Sequence, residues 1–289
     1  MIIKTKQKFS LGLAYLLFKP FSLFKGYSQL LYLITKFLPN VLFKTDVNIE
    51  IFNRDKKFNV NIKYPYMMDI FLKNKSELTV PALIIKLLKK NSSFVDVGAN
   101  CGWFSKIISS FRDDVNIYCF EPSWGAYREL IKISNPQILV FPFAVSYADN
   151  KYLNCHRYLF RQESSAKFLD DNRKNNNHSV ISIKLDSFFS KIKAYPTIIK
   201  IDVEGGELNV LKGAKKCLTQ AEYVIVEVNE DIHCKKFGYK HDDIRKYLLK
   251  LKFKYFYHVS NKDKSVIKSD AFTPGDILFS KKRIVEFDV

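Results

Sequence analysis

The sequence predicts an α/β fold, with a mainly parallel sheet covered by helices on both faces. Three observations carry this. Short apolar runs alternate with helical segments from about residue 80 to residue 228, the pattern of repeated βα units. The runs at 94–97, 197–201 and 223–228 are apolar almost without interruption, as strands buried on both faces are. The stretch Ser93-Phe94-Val95-Asp96-Val97-Gly98-Ala99-Asn100-Cys101-Gly102-Trp103 passes from strand through a glycine turn into a helix start. Glycine turns tightly, and the N-terminus of the following helix offers unpaired N–H groups, so this is the layout of a nucleotide-cofactor loop.

The elements follow in order. Residues 1–45 carry Lys4, Lys6, Lys8, Lys19, Lys25, Lys36 and Lys44 among apolar residues. The longest uncharged run, 9–18, is about half of what a membrane-spanning helix needs. Tyr27, Leu30, Leu31, Ile34, Phe37 and Leu38 form one helical stripe that Pro39 stops. This basic amphipathic helical extension reads as peripheral contact with an anionic membrane face, or as helices packed on the main domain or a second subunit. Its basic start and apolar centre outline a signal peptide, without a clear small-residue cleavage site. Residues 46–75 form a predicted β-hairpin and linker, because alternating stretches at 47–52 and 58–64 flank Asn53-Arg54-Asp55-Lys56.

The main domain is expected over 76–289. Val80, Leu83, Ile84, Leu87 and Leu88 recur at helical spacing, with Pro81 in the first turn, where it is tolerated. Strands are predicted at 94–97, 115–120, 138–143, 180–184, 197–201 and 223–228. Helices are predicted at 103–110, 124–133, near Asp186, and at 207–216. Residues 149–178 read as an insertion with a hairpin and a mobile loop. The last helix sets Ile244, Tyr247, Leu248 and Leu251 on one stripe, with Asp242 and Asp243 at the end where acids favour the helix dipole. Strands near 253–259 and 276–280 close the chain.

Net charge is +18, from 47 Lys and Arg against 29 Asp and Glu. That suits an anionic partner or reflects a Lys- and Asn-rich composition, since the lysines are spread along the chain. Five cysteines without a C-x-x-C pair fit a reducing, cytoplasmic compartment and argue against a disulfide framework or a cysteine zinc site.

Ligands sit at strand ends in open α/β sheets, and three such ends carry acids. The first is the Asp96–Gly102 loop. The second is Glu121, 23 residues after Gly98, where a carboxylate can hold both hydroxyls of a ribose. The Gly98-x-x-x-Gly102 spacing lacks the third glycine of dinucleotide folds, which tilts the reading away from NAD. The third end is Lys200-Ile201-Asp202-Val203-Glu204-Gly205-Gly206-Glu207. Asp202 and Glu204 alternate, so on extended chain they would face the same side. Glu207 reads as a helix N-terminal acid, and Glu227 as either a site acid or a solvated strand end.

Taken together, Phe94–Gly102, Phe120-Glu121-Pro122, Lys200–Glu207 and Val226-Glu227-Val228 resemble the FkbM family of S-adenosylmethionine-dependent methyltransferases, over roughly 76–281. The resemblance implies a Rossmann-like class I methyltransferase fold. Its sheet is expected to be mostly parallel and seven-stranded with an antiparallel last strand, here 276–280, plus the N-terminal helical and hairpin extension. It implies S-adenosylmethionine as cofactor and O-methylation of a hydroxyl on a sugar, glycan or secreted metabolite. By that resemblance Asp96, Gly98, Asn100 and Gly102 line the methionine end of the cofactor. Glu121 holds the ribose, Phe143 and Ala144 sit near adenine, and Asp202 lies near the methyl group. Cys101 departs mildly from the small or hydroxyl residue common there.

Transfer of a methyl group to a hydroxyl requires that the acceptor oxygen be positioned and lose its proton. Asp202 and Glu204 are the candidate catalytic residues, and their clustering would raise at least one pKa. No residue is assigned as a metal ligand; a divalent ion held by Asp202, Glu204 or Glu227 stays open beside a general base. His156, His178 and His233 are loop histidines read as surface groups or alternative bases. An RNA methyltransferase is favoured by the charge but opposed by the acidic 202–207 segment, so nucleic acid is not the expected partner. A non-catalytic basic module binding membrane or nucleic acid on the same fold predicts lost cofactor residues, yet the loop and Glu121 are intact. The expected partner is a small-molecule or glycan acceptor. The pattern sets no oligomeric state.

Overall fold

The computed structural model describes residues 44–52, 54–61, 67, 77–133, 135–157, 164–168, 178–268, 271–285 and 287–288. The membrane reading of the basic extension rests on 1–43 and lies outside them, as does the loop at 169–177. No helix among the described residues is long and apolar enough to cross a membrane. The chain divides into two compact units, and the second comprises Thr79–Arg157 and Glu163–Val289.

In the first unit, β1 (Lys44–Ile51) and β2 (Arg54–Asn61) pair antiparallel, with Ile51 opposite Arg54. The connection is therefore residues 52–53, shorter than the expected 53–56. Phe52 takes a φ of 51° there, since two-residue hairpin turns need left-handed backbone to match the twist of their strands. Ile49, Ile51 and Phe58 on one face are buried.

The second unit begins with α1 (Thr79–Leu87), β3 (Ser93–Val97), α2 (Trp103–Phe111), β4 (Asn116–Phe120), α3 (Trp124–Leu130) and β5 (Ile138–Phe141). It continues with β6 (Ala144–Val145), β7 (Tyr152–Arg157), β8 (Ser164–Phe168), β9 (His178–Ile183), α4 (Leu185–Ile192), β10 (Ile198–Ile201), α5 (Glu207–Lys212) and α6 (Lys215–Gln220). It closes with β11 (Tyr223–Val228), α7 (Asp231–Cys234), α8 (His241–Lys250), β12 (Tyr255–Ser260), β13 (Ser265–Lys268), β14 (Gly275–Ser280) and β15 (Phe287–Asp288).

The main sheet has the order β15-β13-β12-β14-β11-β10-β3-β4-β5. β5, β4, β3, β10 and β11 run parallel, and β14 is antiparallel to both its neighbours. The expected antiparallel strand is thus β14. The expected count of seven is exceeded: nine described strands form the sheet. β13 folds back on β12, and β15 pairs with β13, covering an edge whose N–H and C=O groups would otherwise be open. These strands are too short for hydrophobic period to reveal. The predicted insertion hairpin is β7 with β8, in a small sheet of order β6-β9-β7-β8.

The helix expected at 207–216 is two helices. Gly213 abuts the Ser146 carbonyl so closely that a Cβ would lie 2.0 Å from its oxygen. The Asp186 carboxylate then accepts the N–H groups of Lys216 and Cys217, at 2.9 Å each, and starts α6 anew.

Strand alternation sorts the core into two faces. Val95, Val97, Tyr118, Phe120, Ile199, Ile201, Val224 and Val226 pack with residues of α4, α5, α6 and α8. The intervening positions meet α2 on the other face. Ser105 Oγ donates to Asp96 Oδ2 at 2.7 Å, and the Lys200 ammonium lies 4.7 Å from the centre of the Phe104 ring.

Candidate active site

β3 leads one way, to β4 and β5; β10 leads the other way, to β11. The crevice at such a reversal, outside the carboxyl ends of the strands, is where open α/β sheets bind ligands. The glycine loop and the Asp202–Glu207 turn both leave the sheet there, and they touch. The Asp202 N–H donates to the Val97 carbonyl at 3.0 Å. Gly98, at φ 78°, sits so near the turn that a Cβ would stand 1.7 Å from the Asp202 carbonyl oxygen. The close approach this glycine permits is therefore to the neighbouring turn. Gly102, at φ 76°, lets α2 begin against Leu130 and Ile133, which a Cβ would meet at 2.3 and 2.5 Å.

Glu121 is buried, and it is tied to the glycine loop. Its Oε2 accepts the Asn100 N–H at 2.9 Å, and its Oε1 accepts the Ser123 N–H at 2.7 Å. Burial pushes its carboxyl up to about 7, against the pull of those two N–H groups. Each oxygen keeps a lone pair for a further donor. Asp96 is buried at the root of the loop, and burial raises it, partly offset by Lys200 and the Ser105 hydroxyl. Among the described residues, Asp96 Oδ1 has no hydrogen-bond partner. Ala144 stands apart from this group: it is buried in β6, opposite Ser182 of β9.

On the other side of the crevice, Asp202, Glu204 and Glu227 each present a carboxylate oxygen, all within 4.8 Å of one another. Extended alternation does not bring Asp202 and Glu204 together, as the sequence reading expected. β10 ends at Ile201, and Glu204 adopts a φ of 58° in a turn. Glu227, left undecided by the sequence, belongs to this acidic group. The sequence reading missed the role of Lys200. In register, Lys200 stands directly opposite Asp96 on β3, and its Nζ donates to Asp202 Oδ2 at 2.8 Å. Burial opposes its charge, but Asp202 and Asp96 outweigh that and hold the ammonium protonated. Burial likewise pushes Asp202 up, but Lys200 and a hydrogen bond from Glu227 hold it below the usual carboxylate range. Glu227, facing the Asp202 charge and largely shielded from water, is pushed well up. The two acids titrate as a pair, with Lys200 favouring the charge on Asp202 and that charge disfavouring a second one on Glu227. The only chemical signal for Lys200 was a lysine inside an apolar strand. The same oxygen set would also suit a hard divalent cation.

A reversed parallel sheet, a glycine loop tied to a carboxylate after β4, and a mixed sheet with an antiparallel β14 define a class I, Rossmann-like methyltransferase fold. The chain belongs to the FkbM methyltransferase family, whose domain matches residues 96–255. A curated relative is the hexuronic acid methyltransferase AglP of Haloferax volcanii, 25% identical over 167 residues. That match covers 55% of this chain and spans 64% of the relative's length. Among solved structures, a TehB-like SAM-dependent methyltransferase from Corynebacterium glutamicum matches with TM-score 0.43 and 8% identity, over 75% of this chain and 95% of that one. An rRNA methylase from Streptococcus thermophilus matches with TM-score 0.39 and 8% identity, over 70% and 92%.

Proposed function

We propose that this protein is an S-adenosylmethionine-dependent O-methyltransferase that acts on a hydroxyl of a sugar or glycan. The carrying observation is the crevice in which the glycine loop and Glu121 face the Asp202 turn. The residues fit the cofactor. Asp96, Gly98, Asn100 and Gly102 would form the loop around its methionine end, Glu121 would take the ribose hydroxyls, and Ala144 would lie toward adenine. When bound, S-adenosylmethionine supplies an electrophilic methyl group. Asp202, kept as a carboxylate by Lys200, accepts the proton of the acceptor hydroxyl, while Glu204 and Glu227 frame that oxygen. The family relative named for hexuronic acid methylation supports a sugar acceptor. The division at 45/46 and 75/76, peripheral contact of 1–45 with an anionic membrane, and cytoplasmic placement belong to the same proposal. They are supported by seven lysines among apolar residues and by the unpaired cysteines 101, 119, 217 and 234.

The test is transfer of tritiated methyl from S-adenosylmethionine to 4-nitrophenyl glucuronide, a glucuronate-terminated oligosaccharide and a neutral hexoside. Label on a hydroxyl of at least one is expected. Cofactor binding without transfer to any of them would overturn the sugar reading. Glu121 gives a second expectation. Glu121→Ala should weaken S-adenosylhomocysteine binding by about 1.5–3 kcal/mol, the range for hydrogen bonds to a charged group. Binding needs the carboxylate, whose pKa in the free protein is about 7. Affinity should therefore weaken as pH falls from 8 to 6 in the wild type and stay flat in Glu121→Gln. Calorimetric titration at three pH values checks both.

A further inference from the structure

We propose that Tyr239 is a positioning residue for methyl transfer: its hydroxyl, with Glu207, locks the turn that carries Asp202 and Glu204. This rests on the reading of that turn as the acceptor side of the site. The turn leaves β10 in a conformation that needs support. Glu204 holds φ 58° and Gly205 φ 107°, and a non-glycine residue in the left-handed region costs about 1–2 kcal/mol.

The support comes from Glu207, the first residue of α5, which is fully buried. Its Oε1 accepts the N–H groups of Val203 at 3.2 Å and Gly205 at 2.9 Å, one on each side of Glu204, and faces Asn229 Nδ2 at 3.4 Å. Tyr239 is buried too, and it reaches the turn from 34 residues along the chain. Its hydroxyl lies 2.7 Å from the Gly205 carbonyl oxygen and 2.9 Å from Glu207 Oε2. A hydroxyl has one proton, so it cannot donate to both. With a proton on Glu207 Oε2, the contacts resolve into a chain. Glu207 donates to the Tyr239 oxygen, Tyr239 donates to Gly205, and each polar atom is satisfied. Burial raises the Glu207 carboxyl, which suits the neutral acid. Phe237 closes the same side, because a Cβ on Gly205 would meet its ring at 3.0 Å.

The consequence for chemistry is geometric. A displacement of about 1 Å in a reacting group can cost roughly 10²-fold in rate, and both candidate carboxylates ride on this turn. Tyr239→Phe removes only the hydroxyl. In the folded full-length protein, hydrogen exchange at the Val203 and Gly205 amides should quicken at least tenfold. Turnover of tritiated S-adenosylmethionine with 4-nitrophenyl glucuronide should fall tenfold or more. The KM for the glucuronide and the Kd for S-adenosylhomocysteine should stay within threefold. Glu207→Gln, which keeps an acceptor for the amides and a donor for Tyr239, should quicken exchange less than Glu207→Ala. Unchanged exchange in Tyr239→Phe, or equal exchange in the two Glu207 variants, overturns the lock. Faster exchange with unchanged kcat overturns the positioning role. A wild type that transfers no methyl group sinks the proposed function instead, and the exchange measurements still decide the lock.

Discussion

Lys200→Met is expected to lower the free energy of unfolding by about 3–5 kcal/mol, the range for removing one partner of a buried ion pair. The lysine is 2% exposed and sits between two acids, opposite Asp96 on β3 and bonded to Asp202 beyond its own strand. Methionine fills much of the same volume over the Phe104 ring, so lost packing is the smaller part. What remains is two carboxylates without a counter-charge, one of them fully buried. The pH dependence has a definite sign. Asp96 already has a raised pKa in the fold, and losing Lys200 raises it further. A carboxylate with a raised folded pKa contributes stability at low pH that is lost as pH rises through that pKa. The deficit of Lys200→Met should therefore be largest at pH 8 and shrink toward pH 5. Urea unfolding at the two pH values measures it. A deficit under 1 kcal/mol at pH 8 would show that the ammonium is not what keeps these acids tolerable.

This pair also marks where sequence reading stops. β3, β10 and β11 were legible because strands buried on both faces are written as apolar runs with few interruptions. Glu121 was legible because its position is set by one strand end. The partnership of Lys200 with Asp96 is set by strand register, and no local pattern encodes which residue of one parallel strand stands beside which residue of another. The Asp202–Glu204–Glu227 group has the same origin. Alternation placed Asp202 and Glu204 side by side, but it is a left-handed turn at Glu204 that brings them together, and Glu227 arrives from the next strand. Tyr239 carried no signal at all: its chemistry is a hydroxyl against a turn 34 residues earlier. The break between α5 and α6 was hidden for a related reason, because it depends on the Ser146 carbonyl lying against Gly213.

Asp202→Asn is expected to lower turnover by about 10²–10⁴-fold, the usual contribution of a general base, or roughly 2.7–5.4 kcal/mol. Affinity for S-adenosylhomocysteine should change little, because the contact from this turn to the cofactor loop is the Asp202 backbone N–H on Val97, which asparagine keeps. The coupling of Asp202 with Glu227 makes the expectation more specific. Lys200 favours the charge on Asp202, and that charge pushes the Glu227 carboxyl toward its neutral form. Glutamine imitates a protonated glutamate, so Glu227→Gln should lose at least tenfold less turnover than Asp202→Asn. A divalent ion bound by the same three oxygens predicts no such separation: both variants lose a ligand, both fall together, and EDTA abolishes activity in the wild type until metal is restored. A purely structural Asp202 predicts a lower melting temperature with turnover per folded molecule intact. Turnover, melting temperature and EDTA sensitivity, measured on the two variants and the wild type, assign the proton of the acceptor hydroxyl to Asp202 only if Asp202→Asn alone falls by the expected factor and chelation has no effect.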